Sequence, residues 1–184
     1  MKYKEERRRY LRVSCNIPAR YVIIPPSKVS HTIEKLKKDY ETKYNKWRYL
    51  DEIMNKGLSN EFLIIPLLVN IDQKLDTILK MLEHGEAKEF EDIEPPLQLS
   101  GAGLLFRTRK KISPGDFLYI ELEIPLTFPF KAEIMGKVQR INPVSSDSTE
   151  VAVEFLELPE FIKEKIIRYT LQRERELIRK RKEE

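Results

Sequence analysis

Apolar and polar residues alternate from Val13 to Ile24, with Val13, Cys15, Ile17, Ala19 and Tyr21 in one register and Ser14, Asn16 and Arg20 in the other. That two-residue period predicts a strand with one buried face. Pro18 inside it predicts an edge position or a bulge, and Pro25-Pro26 marks its end. The period then lengthens. Ile33, Leu36, Tyr40, Tyr44, Trp47, Leu50 and Met54 recur at intervals of three and four, the stripe of an amphipathic helix. Ser30 is placed to cap its start and Asn55-Lys56-Gly57 to stop it. Ile64, Leu68, Ile71, Leu75, Ile78 and Leu82 follow in alternating steps of four and three, the spacing of a coiled-coil seam, which Gly85 ends.

Strand alternation returns over residues 95–156. It predicts strands over Gly103–Thr108, Phe117–Ile124, Lys131–Ile141 and Glu150–Phe155. Phe117, Tyr119, Glu121 and Glu123 share one face of the second, and Ala132, Ile134, Gly136, Val138 and Arg140 one face of the third. Ser113-Pro114-Gly115-Asp116 reads as a turn and Pro143–Ser148 as a polar loop. The last element, about residues 159–182, is a helix with Ile162, Ile166, Tyr169, Arg173 and Leu177 along one side. The chain is thus mainly β with helices (α+β). Short antiparallel strands at regular spacing predict a small barrel. Four segments result: 1–26, a basic arm and first barrel strand; 27–92, a helical insertion; 93–158, the remaining strands; and 159–184, a C-terminal helix. An insertion of this size is tolerable because closure entropy grows only logarithmically with loop length.

Composition narrows the class. Among 184 residues, 41% are hydrophobic and 35% charged, which fits a water-soluble chain with long charged helices. The longest apolar stretch, Phe62–Val69, is too short to cross a bilayer, and the charged N-terminus has no apolar signal core. The single cysteine, Cys15, has no partner in the chain and alternates with apolar residues, so it reads as a buried strand residue in a reducing cytoplasm. The net charge of +4 is unevenly placed: Lys2, Lys4, Arg7, Arg8, Arg9 and Arg12 crowd one end, and Arg173 to Lys182 the other. Basic runs are ordinarily solvated arms and helix faces, and nucleic acid is the competing partner. Against it, Glu174 and Glu176 interrupt the C-terminal run and no aromatic side chains stand there to stack on bases.

Two short motifs carry the chemistry. Arg8 and Arg12, preceded by Arg7, form Arg-x-x-x-Arg immediately before the first strand. A guanidinium fork pairs bidentately with a phosphate or a guanine edge. About ninety positions later, Gln98-Leu99-Ser100-Gly101-Ala102-Gly103 opens another strand with a small-residue turn, which lets backbone N–H groups approach an anion. An Arg-x-x-x-Arg motif followed by Asp/Asn-x-Ser-x-x-Gly resembles the PilZ domain family. The likeness covers roughly residues 5–25 and 95–182, with Gln98 in place of Asp or Asn. It implies a Greek-key barrel of the PilZ type and a bacterial, non-catalytic receptor for cyclic di-GMP, a nucleotide with two guanines and two phosphates. By position, Arg7, Arg8 and Arg12 would grip guanine and phosphate, Gln98 and Ser100 would contact the ligand, and Gly103 would supply the tight backbone. The amide of Gln98, one methylene further out than Asn, implies weakened binding.

The seam Ile64, Leu68, Ile71, Leu75, Ile78 and Leu82 sets Leu at a and Ile at d, which favours three or four strands over a parallel dimer. A homotetramer through residues 60–84 is the favoured arrangement and resembles an oligomeric branch of the family; a hairpin in which residues 31–54 cover the seam within one chain is the alternative. His31 and His84 have no companion at metal-ligand spacing, and Ser100 is not in Gly-x-Ser-x-Gly. No catalytic residue, metal or cofactor is expected. A structural or adaptor oligomer with weak or lost nucleotide binding is the second functional reading, and a downstream protein effector is implied by the first.

Overall fold

The computed structural model describes residues 10–55, 68, 71, 72, 74, 75, 78, 79, 89–126 and 130–183, and the side chains among them outside 42–55 and 183. The described elements run β1 (Val13–Cys15), β2 (Ala19–Ile24), α1 (Pro26–Asn55), β3 (Glu91–Asp92), β4 (Glu94–Ser100), β5 (Gly103–Thr108), β6 (Phe117–Ile124), β7 (Phe130–Pro143), β8 (Thr149–Leu156) and α2 (Glu160–Glu183). The strands form one antiparallel sheet in the order β1-β4-β5-β8-β7-β6-β2-β3. The mixed, β-dominant class is as the sequence predicts.

The ladder does not close into a full ring, and the first strand explains how the sheet nevertheless curls. The alternating run from Val13 breaks at Asn16-Ile17-Pro18, where proline has no N–H for a ladder. Its first part pairs with β4 and its second with β6, towards opposite ends of the sheet. Four peptide steps separate Cys15 from Ala19, roughly 14 Å at full extension, so the sheet must bring its two ends together. The junction is built in: Ile17 is buried, and the Pro18 carbonyl accepts the Glu123 N–H at 2.9 Å.

Helix α1 begins earlier than the Ser30 cap predicts. Pro26 takes the first helical position, where a missing N–H costs nothing, and the Lys28 N–H bonds to the Pro25 carbonyl at 2.9 Å. Its first half lies on β7: Val29, Leu36 and Tyr40 are buried, and Tyr40 meets Phe161 of α2 edge-on at 5.6 Å. The predicted stripe from Tyr44 to Met54 falls outside the described side chains. Helix α2 packs against β1 and β4 through Ile162, Ile166 and Tyr169. No helix among the described residues is long and apolar enough to cross a membrane.

One strand prediction is corrected. Residues Ala132 to Arg140 do not share a face, because β7 carries a bulge between Val138 and Arg140. Val138 pairs with Val153 and Arg140 with Ala152, so Gln139 is the extra residue and Arg140 turns outward to solvent.

Candidate functional site

Strands β1 and β4 bring the two motifs together. Their register pairs Val13 with Leu99, Ser14 with Gln98 and Cys15 with Leu97. Val13, Cys15, Leu97 and Leu99 point into the core, which locks this register: a one-residue slip of β1 would turn Val13 and Cys15 into water. Arg12 immediately precedes this ladder, at the end where Ser100 follows Leu99. Arg12 is exposed. Arg7 and Arg8 lie outside the described residues. Gln98 is exposed on the outer face, between Ser14 of β1 and Leu105 of β5.

Ser100, Gly101, Ala102 and Gly103 form the tight hairpin turn between β4 and β5, with Ser100 and Gly103 as its closing pair. Ser100 is buried, and its hydroxyl serves the turn itself: Oγ donates to the Gly103 carbonyl at 3.1 Å and accepts the Ala102 N–H at 3.4 Å. Gly103 is glycine for a steric reason. A Cβ there would lie well inside 3.0 Å of the Val153 carbonyl oxygen, and that oxygen belongs to a backbone held in the β5·β8 ladder. The Phe155 N–H bonds to the Ala102 carbonyl at 2.9 Å and ties the turn to β8.

Three residues that sequence reasoning did not single out complete the surroundings: Tyr10, Lys163 and Ile167. A Cβ on Gly101 would come within 2.9 Å of Ile167 Cγ1 and 3.2 Å of Tyr10 Cδ1, so the turn, the arm and α2 meet at that glycine. Lys163 Nζ lies 5.4 Å from the centre of the Tyr10 ring. Its pKa is raised, first by the hydrogen bond with Tyr10 and then by the one with Glu160, and the ammonium stays charged. An aromatic residue midway between Arg8 and Arg12 was the sequence signal available for this contact. Beneath the arm, Cys15 and Tyr169 share a hydrogen bond; burial pushes the thiol up to about 11 and the phenol up to about 12.

The residue set offers cations and hydrogen-bond donors to an anionic, planar ligand. Among the described residues no group of three or more His, Cys, Asp or Glu is arranged to hold a metal ion.

The PilZ domain family model matches residues 96–172, a span that starts in β4, includes the turn, and ends in α2. Over that span the chain is similar to a PilZ domain. Among solved structures it is similar to the Bacillus subtilis inhibitor of motility (MotI/DgrA), with a TM-score of 0.51 at 12% identity over 95% of this chain and 56% of that one. The chain thus spans little more than half the length of that protein. It is also similar to a Xanthomonas campestris protein described as a tetrameric PilZ domain self-assembled through a helical bundle, with a TM-score of 0.49 at 18% identity over 92% of this chain and 91% of that one. At such identities the likeness concerns the fold. No curated protein matches the chain by sequence. Gln98, Ser100 and Gly103 lie within the matched span and Arg12 outside it, and the sheet brings all four to one corner. Of the seam, Leu68, Ile71, Leu75 and Ile78 are helical and exposed, while Ile64 and Leu82 lie outside the described residues.

Proposed function

We propose that this protein is a non-catalytic cytoplasmic receptor for cyclic di-GMP, and that it passes the signal to a partner protein. The observation that carries the reading is the β1·β4 register, which sets Arg12 beside the Ser100–Gly103 turn of the PilZ-like span. Arg12, with Arg7 and Arg8 of the same motif, supplies guanidinium forks for guanine O6 and N7 and for phosphate oxygens. Gln98 faces the same surface with an amide. The rigid turn positions backbone around the ligand, and its glycine at 103 permits the close approach of β8. Engagement of the arginines fixes the arm against the turn and changes the surface offered to the effector. Calorimetric titration with cyclic di-GMP tests this. Wild type should bind, and Arg8→Ala and Arg12→Ala should each weaken binding at least tenfold; an absence of binding by wild type overturns the reading.

A second reading, an adaptor with weak or lost nucleotide binding, is favoured by one specific observation. The Ser100 hydroxyl already has partners within its own turn, and Gln98 stands where the family has Asp or Asn. Under either reading the chain works as a homo-oligomer, a tetramer through the insertion. In support, Leu68, Ile71, Leu75 and Ile78 are each 45–57% exposed in the single chain and carry the spacing of a seam.

A further inference from the structure

We propose that the outward face of α2 is a docking surface for α2 of a second copy, laid antiparallel so that Glu164 of each copy meets Arg175 of the other. The proposal stands apart from the nucleotide reading and from the seam in the insertion. Helix α2 buries Ile162, Ile166 and Tyr169 on its inner side. On the other side Phe161, Glu164, Arg168, Leu171, Arg175 and Ile178 follow in alternating steps of three and four. Phe161 is half-buried and the other five are exposed. This is the spacing of a helix-pairing stripe, about 25 Å long at 1.5 Å per residue. It carries two large apolar side chains away from the core: Leu171 is 46% exposed and Ile178 43%.

Charge is segregated along the same line, and that selects the occupant. The start of the helix presents Glu160 and Glu164, and its end presents Arg175, Arg179 and Lys182. The acidic end opens into a groove of about 510 Å³ against α1, lined by Phe161 and by Glu41, Glu157, Glu160 and Glu164, with Lys37 as the cation among its walls. An antiparallel copy brings its basic end to this groove. With the two-fold axis between Arg168 and Leu171, Phe161 faces Ile178 of the second copy, Glu164 faces Arg175, and the Arg168 stem lies along Leu171. Symmetry makes every contact twice. A parallel copy would set Arg168 on Arg168 and Arg175 on Arg175, a repulsive arrangement. An anionic membrane or a nucleic acid would meet Glu160 and Glu164 on the same line. The exposed ion pairs fix direction and register, and Phe161, Leu171 and Ile178 supply the burial. One helix pair is smaller than a stable interface, so the contact is weak and is best read by covalent trapping.

Oxidative cross-linking of the full chain, read on non-reducing gels, tests the register. Glu164→Cys and Arg175→Cys should each cross-link poorly alone, because like positions lie about 16 Å apart along the pair. Mixed, the two variants should form a disulfide-linked dimer readily, and that dimer keeps the second Glu164–Arg175 contact intact. Glu164→Cys mixed with Arg181→Cys gives the background rate. Buried Cys15, its thiol pushed up to about 11, stays out of the reaction. Charge exchange tests the direction. Cross-linking of Arg168→Cys mixed with Leu171→Cys should fall severalfold when both chains also carry Glu164→Arg, and should recover when Arg175→Glu is added to both. Melting temperatures should hold throughout, since every altered position is exposed. A mixture of Glu164→Cys and Arg175→Cys that reacts at the background rate overturns the proposal, and so does a charge exchange that restores nothing. Background cross-linking together with co-sedimentation of wild type on phosphatidylserine vesicles would assign the face to a membrane instead.

Discussion

The hydroxyl of Tyr40, on α1, donates to the backbone carbonyl of Glu133 on β7 and accepts the Glu133 N–H at 2.6 Å. This pairing solves a problem in the sheet. Strand β8 stops pairing at Met135↔Leu156, two residues short of Glu133, and the chain turns away at Glu157 with φ +45°. A buried N–H and C=O would be left without partners, and the phenol, itself 2% exposed, takes the place of the missing strand. Nearby, Lys37 pairs with Glu157 at 2.5 Å, so α1 is fastened to the sheet where β8 ends.

Tyr40→Phe keeps the ring and its contact with Phe161 but removes both hydrogen bonds to Glu133. The expected loss is roughly 2–4 kcal/mol of unfolding free energy, since two backbone groups lose their partner in a dry site. Urea unfolding measures it. A loss under about 0.5 kcal/mol would mean that water replaces the hydroxyl.

Alkaline stability follows from the groups beneath the arm. The native fold holds the Cys15 proton to about 11 against a usual 9.0, and the Tyr169 proton to about 12 against 10.0. Burial is the first cause in both. Tyr21 and Tyr40 shift in the same direction. Each group binds its proton more tightly when folded, so stability is complete below about pH 9 and falls as pH rises through 9 to 12. Urea midpoints measured across this range should decline, and Cys15→Ala should flatten the first part of the decline. A flat profile in wild type would contradict the burial of these two groups.

The repeating patterns made most of this architecture legible. Strands β5, β6 and β8 match the alternating runs to within a residue or so, and the C-terminal helix starts where its apolar stripe starts. The motif Arg12 and the turn at Ser100 could also be read, because a family signature records side-chain types at fixed spacing. The rest depended on partners that local pattern does not encode. Pro18 splits one run into two strands because the sheet needs an edge at each end, and periodicity alone continues through it. The bulge at Gln139 reverses the orientation of Arg140 without any change in local composition. Tyr10 and Lys163 meet only after α2 has docked beside β1 and β4.

Gly103→Ala should be severe where Gly101→Ala is mild. At 103 the new methyl meets a backbone oxygen of β8, which can move only by disturbing the β5·β8 ladder; the overpacking costs about 1–3 kcal/mol or more. At 101 it meets side-chain atoms of Ile167 and Tyr10 and no backbone atom, and these can shift by a few tenths of an ångström. Thermal melts should show a clear drop for the first and a small one for the second. Equal melting temperatures would show that the hairpin adjusts freely.

Gln98→Asp tests the departure from the family motif. The shorter carboxylate sits closer to the sheet, carries a formal charge and accepts two hydrogen bonds from guanine N1 and N2. One charge-assisted bond is worth about 1.5–3 kcal/mol, so cyclic di-GMP should bind ten- to a hundredfold more tightly than to wild type. Unchanged affinity would remove Gln98 as the limiting residue and turn attention to Ser100, whose hydroxyl is held within its turn.

The helical seam predicts the state of assembly. Leu68, Leu75 and Ile78 are each more than half exposed in the single chain, and Ile71 is 45% exposed. Burying a leucine of this kind contributes roughly 1.5–3 kcal/mol, so several in one stripe favour association at micromolar concentration. Light scattering should report a multiple of the 21.9 kDa chain. Leu75→Lys places a charge in the middle of the stripe and should return the protein towards the monomer while leaving nucleotide affinity intact, because the seam lies outside the ligand corner. A wild-type particle of one chain's mass would mean that the stripe is covered within the chain, and Leu75→Lys would then lower its melting temperature instead of its mass.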